Sequence, residues 1–173
     1  IPTGEFDDSD SCFMTSAHFH KLFMKSGGYF LEFDLDADPH YDSSGLGRLH
    51  RYGAPSPICM SLPCTDTPKY KLCTEEKHRA SLCPGFIDNG TPAFSCDSDE
   101  RIEVVSYSSD KARLKYPNGI TADYAIADGC VSVMIGGSGR FLHMLPAFSF
   151  DGESETEIHV CENAVEIVYE GWI

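Results

Sequence analysis

A chain of 173 residues with 42% hydrophobic and 23% charged residues has enough apolar material for one self-sufficient core. Its net charge of −14 argues against nucleic acid or an anionic membrane as the principal partner, because phosphate binding needs clustered cations. No apolar run approaches the ~18–20 residues that a membrane helix requires.

The charge is uneven. From Tyr124 onward Arg140 is the only cation, against eight acidic residues. Arg48, Arg51, Lys69, Lys71, Lys77 and Arg79 lie in the first half, with His50 and His78 beside them. The eight cysteines (Cys12, Cys59, Cys64, Cys73, Cys83, Cys96, Cys130 and Cys161) have no zinc-ribbon spacing and sit mostly in apolar runs. Buried reduced thiols are the expectation, with disulfides as the alternative. Reduced thiols favour a cytoplasmic home; a periplasmic or secreted one stays open. No cofactor is expected, and a structural metal finds no support in the spacing.

Taken in order, residues 1–11 are an acidic lead-in. Cys12 to Met24 alternates well enough to be read as one strand, which would place His18 and His20 on one face. Two such histidines can share a metal, but a half-exposed strand face is the plainer reading. Ser26-Gly27-Gly28 marks a turn. Tyr29 to Asp36 then alternates: Tyr29, Leu31, Phe33 and Leu35 face one way, and Phe30, Glu32, Asp34 and Asp36 the other. This predicts a half-buried strand with an acidic outer face, paired in a hairpin with 13–24.

That hairpin delivers a loop, Asp38 to Arg51, dense in chemistry: His40, Tyr41, Asp42, Arg48, His50 and Arg51 among glycines and serines. Functional groups concentrate on such loops when a rigid scaffold holds them. Pro55 and Pro57 flank a rigid turn before a short strand, Ile58 to Leu62. Residues 63–100 are read as a long irregular excursion, with a short helix over 75–82.

The remainder is strand after strand: 101–108, 111–116, 120–126, 130–135, 140–150, 157–161 and 165–169. Pro117-Asn118-Gly119, Ala127-Asp128-Gly129 and Gly136-Gly137-Ser138-Gly139 supply turns. The glycine cluster at 136–139 lacks the strand-to-helix context of a phosphate loop. Short strands at this spacing predict an all-β fold, an antiparallel β-sandwich with one long irregular insertion. The chain is read as a single domain over 1–173, and its apolar, aromatic end as that of a fragment.

Several motifs together resemble the β-sheet part of bacterial heparinase II/III-like polysaccharide lyases. They are Gly27-Gly28-Tyr29, Glu32, Asp38-Pro39-His40-Tyr41-Asp42, Gly45-Leu46-Gly47-Arg48, Ala54-Pro55-Ser56-Pro57-Ile58-Cys59-Met60-Ser61, Leu145-Pro146-Ala147-Phe148 and Phe150-Asp151-Gly152. The resemblance covers most of the chain from about residue 20. It implies a supersandwich-like domain, completed by an N-terminal α/α-toroid domain, with an acidic, uronate-containing polysaccharide such as a glycosaminoglycan between the two. It also implies a His-x-His-x-Asp-like loop facing the cleft. Here His40 and Asp42 match it, and Asp38 stands at the first position.

β-Elimination requires removal of the C5 proton, neutralisation of the uronate carboxylate and protonation of the leaving oxygen. His40 suits the neutraliser or base, Asp42 its orientation, and Tyr41 a proton shuttle. Arg48 and Arg51 suit carboxylate or sulfate binding, with His50 assisting. The competing reading is a non-catalytic glycan-binding or interdomain module, with Tyr41, Tyr52 and Trp172 as stacking platforms. A third is self-association through a sheet edge.

Overall fold

The computed structural model describes residues 9–37, 44–53, 59–60, 84–94, 101–143, 156–162 and 165–169. The protein is all-β. Among the described residues there is no α-helix, only a 3-10 turn at Pro117–Gly119. Among the described residues fourteen strands run in chain order: β1 Ser11–Met14, β2 Lys21–Ser26, β3 Tyr29–Asp34, β4 Gly45–Arg51, β5 Cys59–Met60, β6 Pro84–Asp88, β7 Thr91–Phe94, β8 Glu103–Tyr107, β9 Lys111–Lys115, β10 Thr121–Ala127, β11 Cys130–Gly136, β12 Phe141–His143, β13 Thr156–Val160 and β14 Val165–Tyr169.

Two antiparallel sheets make the sandwich. One has the order β1-β2-β3-β4-β5, the other β11-β10-β9-β8. A three-stranded sheet, β12-β6-β7, and the hairpin β13-β14 complete the described strands. The alternation of apolar residues sets the inner faces. Leu22 and Met24 of β2, Leu31 and Phe33 of β3, and Leu46 of β4 bury against Ala112 and Leu114 of β9 and Ala122, Tyr124 and Ile126 of β10. Each fully buried aliphatic or aromatic side chain here contributes about 1.5–3 kcal/mol relative to exposure. Inside the core the hydroxyls of Tyr116 and Tyr124 lie 2.8 Å apart, so burial does not strand them. Tyr29 reaches across the sandwich and donates its hydroxyl to Gly129 C=O at 2.6 Å.

Three two-residue turns close hairpins with both residues at positive φ, the handedness that matches strand twist: Gly27-Gly28 (54° and 81°), Asn89-Gly90 (47° and 86°) and Asp128-Gly129 (52° and 74°). Gly47 is an extra residue on β4. Glu32 pairs with Arg48 and Phe33 with Leu46, so the register shifts there.

Four departures from expectation concern the fold outside the candidate site. Cys12–Met24 is not one strand. Thr15 N–H bonds Lys21 C=O at 2.9 Å, Lys21 N–H bonds Thr15 Oγ1 at 2.9 Å, and Phe19 and His20 N–H both reach Ser16 C=O. These bonds fold 15–20 into a turn between β1 and β2, so His18 and His20 share no strand face. Second, the stretch 63–100 is not irregular throughout. Gly85–Asp88 pairs with Thr91–Phe94 around Asn89-Gly90, the strongest short hairpin signal, which the neighbouring prolines mask in the sequence. The helix expected at 75–82 lies outside the described residues.

Third, the outer face of β3 is not simply solvated, since Asp34 is buried. Its carboxylate lies 2.7 Å from Lys21 Nζ, directly opposite on β2. Fourth, of the cysteines described in full, Cys12 packs against the core, but Cys130 and Cys161 are exposed free thiols. Cys130 opens an edge strand just after a tight turn, and Cys161 follows the last residue of β13, so neither meets the core.

Candidate functional site: the base of the β3–β4 loop

β3 ends at Asp34 and β4 already begins at Gly45, so the expected loop Asp38 to Arg51 is shorter than read: Arg48, His50 and Arg51 lie on a strand paired with β3, and the connection leaves one end of the five-stranded sheet. His40, Tyr41 and Asp42, the expected catalytic residues, lie outside the described residues. The neck of that loop is described. Ala37 N–H donates to Ser44 Oγ at 3.0 Å, drawing its two sides together, and Asp36 N–H donates to Asp34 Oδ1 at 3.0 Å.

Three side chains from distant parts of the sequence meet at this neck. The backbone explains why. Leu35 N–H bonds His20 C=O at 2.8 Å, and Ile102 N–H bonds Leu35 C=O at 2.9 Å. Residue 35 is therefore flanked by 20 on one side and 102 on the other, which brings Asp36, His20 and Arg101 together. Arg101 Nε donates to Asp36 Oδ2 at 2.6 Å, and its Nη2 approaches His20 Nε2 at 3.2 Å. His20 Nε2 also lies 3.9 Å from Asp36 Oδ2. A guanidinium only donates, so Nε2 must accept, and the ring proton of a neutral His20 sits on Nδ1. His20 holds φ at 52°, an uncommon conformation for a side chain with Cβ, and its carbonyl is pinned by Leu35.

The outward side of this sheet can be laid out from its register. The row nearest the loop is Lys21, Asp34 and Gly45. The next is Phe13, Phe23, Glu32 and Arg48, and the third is Ser11, Lys25, Phe30 and His50. Lys21 Nζ bridges Asp34 and Glu32, at 2.7 and 3.2 Å, and Arg48 Nε lies 3.9 Å from Glu32. Phe13 and Phe23 stack at 4.9 Å with 26° between planes, and Phe23 and Phe30 sit 5.9 Å apart. Rings so stacked cover one another's faces and turn their edges outward, so the stripe is a ridge rather than a flat stacking platform.

The expected substrate-binding residues therefore separate. Arg48 and His50 share the outer face, whereas Arg51 points to the other side, its guanidinium 5.6 Å from the Tyr29 ring centroid. The reason is the two-residue period of a strand. Extension along β4 also carries His50 two rows, roughly 13 Å, from the loop. Of the expected aromatic platforms, Tyr52 is exposed, and Tyr41 and Trp172 lie outside the described residues. His20, Asp36 and Arg101 were not singled out as a group by sequence reading. No local spacing links them; only the flanking of residue 35 does.

Among the described residues no group of three or more His, Cys, Asp or Glu side chains converges as a metal site. No helix of the described residues is long and apolar enough to cross a membrane. Comparison with protein-family models, with curated proteins and with solved structures gave no match. What the fold defines is the class: an all-β sandwich protein with a polar cluster at one sheet end.

Proposed function

We propose that this chain is the β-sheet part of a heparinase II/III-like polysaccharide lyase or a relative of one, acting by β-elimination on an acidic, uronate-containing polysaccharide and incomplete without an N-terminal α/α-toroid domain. One arrangement carries the reading. The loop bearing His40, Tyr41 and Asp42 springs from a neck closed by Ala37 and Ser44, and the cluster His20, Asp36 and Arg101 is built at that neck. A rigid sheet end thus supplies an imidazole, a carboxylate and a guanidinium beside a loop that supplies a second set.

In this reading His40 neutralises the uronate or takes the C5 proton, Asp42 orients its ring, and Tyr41 passes the proton to the leaving oxygen. General acid–base help of this kind contributes about 10²–10⁴-fold. Electrostatic stabilisation of the enolate-like charge is the larger need, and it falls to the hydrogen-bond donors at the sheet end, because Arg101 and Lys21 are each already paired with carboxylates. Arg48 lies one row beyond the loop on the outer face, where a polymer crossing the sheet would pass.

The test is ultraviolet absorbance of the unsaturated uronate product, with the full-length protein and its His40→Ala variant, on heparin, heparan, chondroitin, hyaluronan and alginate. Product from the parent and none from a folded variant is the expected result. Equal activity in both removes His40 from the mechanism. No product from either, with polysaccharide still retained on affinity gels, shifts the assignment to a non-catalytic glycan-binding module. Tyr52, 68% exposed, would serve such a module.

A further inference from the structure

Among the described residues Arg101 is gripped along one edge only. A guanidinium can hold a carboxylate with two parallel bonds on either of two edges: the side edge, Nε with Nη2, or the end edge, Nη1 with Nη2. The side-on mode is present in this protein at Arg113, whose Nε and Nη2 both go to Asp123. In Arg101 the side edge is used, by Asp36 through Nε and by His20 through Nη2. Among the described residues no partner meets Nη1, and the side chain is 60% exposed.

We propose that the end edge of Arg101 is the binding site for a uronate carboxylate of the polysaccharide, at the neck that Ala37 and Ser44 close. The inference rests on the acidic-polysaccharide reading above and adds the residue and the chemical group it recognises. Asp36 and His20 act as positioning residues, because they fix the plane of the guanidinium. A fork already held in place gives up less side-chain freedom when it binds.

Arg113, Arg48 and Arg51 are poorer candidates. Arg113 spends its side edge on Asp123, on the outer face of the other sheet; Arg48 faces Glu32; Arg51 lies over the Tyr29 ring. Asp36 formally cancels the charge of Arg101, so attraction at a distance is weak. Discrimination then comes from fork geometry: a planar carboxylate accepts two parallel N–H bonds, and a neutral sugar offers no such group.

The experiment is calorimetric titration of the chain at fixed salt with three probes: oligogalacturonate (carboxylate only), sulfated dextran oligomers (sulfate only) and cello-oligosaccharide (neutral). Parent, Arg101→Gln, Arg101→Lys and, as a control with the same charge change, Arg113→Gln are compared, each checked for an unchanged denaturation midpoint. Oligogalacturonate is expected to bind, and both Arg101 variants to weaken it at least about tenfold, the weight of a charge-assisted pair. Arg113→Gln is expected to leave the affinity within about twofold, because a distant surface charge is screened.

Arg101→Gln with parental affinity overturns the inference and leaves the acidic-polysaccharide reading standing. Arg101→Lys with parental affinity overturns the fork and leaves only a point charge. Binding of the sulfated probe without the uronate one overturns the carboxylate assignment. Binding of neither overturns the inference, while the product assay still decides the lyase reading separately.

Discussion

Phe33 of β3 meets Tyr124 of β10 edge-on across the sandwich, with ring centroids 4.8 Å apart and planes at 71°. The two residues belong to different sheets, so this contact is where the halves of the core lock. Edge-to-face pairs add about 0.5–1.5 kcal/mol beyond the area they bury. Phe33→Ala is expected to cost about 3–5 kcal/mol, through lost transfer energy and the cavity left behind. Phe13→Ala, on the outer face and 55% exposed, is expected to cost under ~1 kcal/mol. Urea unfolding of both variants checks this. Similar losses at the two positions would show that the outer stripe is covered in solution.

The Tyr116–Tyr124 hydroxyl pair calls for a double-mutant cycle. Each Tyr→Phe change is expected to cost roughly 1 kcal/mol. The pair at 2.8 Å is buried, so the double variant should lose less than the two singles combined, with a coupling of about 0.5 kcal/mol or more. Strict additivity in equilibrium unfolding would mean that the hydroxyls do not bond each other.

Lys21 holds two carboxylates, Asp34 and Glu32, and only Asp34 is buried. Lys21→Met strands that acid, and roughly 2 kcal/mol or more should be lost, below the 3–5 kcal/mol of a fully buried pair. Adding Asp34→Leu removes the stranded charge and should recover part of the loss. A double variant less stable than Lys21→Met, measured by chemical denaturation, would contradict this.

Asp123 gives a signed pH prediction. The Arg113 hydrogen bond holds its carboxyl below the ordinary carboxylate range; desolvation opposes this, and the guanidinium charge assists it. A group depressed in the folded state stabilises above its unfolded pKa of about 3.9, and that contribution disappears as pH falls through the folded value. The pair is exposed, so the effect is small. Between roughly pH 5 and roughly pH 2, Asp123→Asn should therefore flatten the acid limb of a stability profile slightly. A steeper limb in the variant would reverse the sign.

The exposed thiols can be read by mass-mapped alkylation of the native chain. Cys130 and Cys161 are expected to react well before Cys12, which packs against the core. Faster labelling of Cys12 would mean that β1 opens before the sandwich does.

Much of this fold is legible locally, because strands are specified by a two-residue alternation and hairpins by their turn residues. Tyr29, Leu31 and Phe33 announce the inner face of β3, and Gly27-Gly28 and Asp128-Gly129 announce the turns around their hairpins. The alternation misleads where a local bond overrides it. Thr15 and Ser16 cut the first apolar run into two strands, and prolines hid the Asn89-Gly90 hairpin.

The sequence by itself determined that this protein is a sandwich of short antiparallel strands, and that a stretch rich in histidine, carboxylate and arginine follows β3. Tertiary structure alone decided which groups meet there. Sequence proximity placed Arg48, His50 and Arg51 with the loop; strand pleating put them on opposite faces and extension carried His50 away from it. His20, Asp36 and Arg101 came to the neck instead, because residue 35 bonds 20 on one side and 102 on the other. A hydrogen-bond ladder joins residues by register across strands, and register between remote segments leaves no periodic trace along the chain.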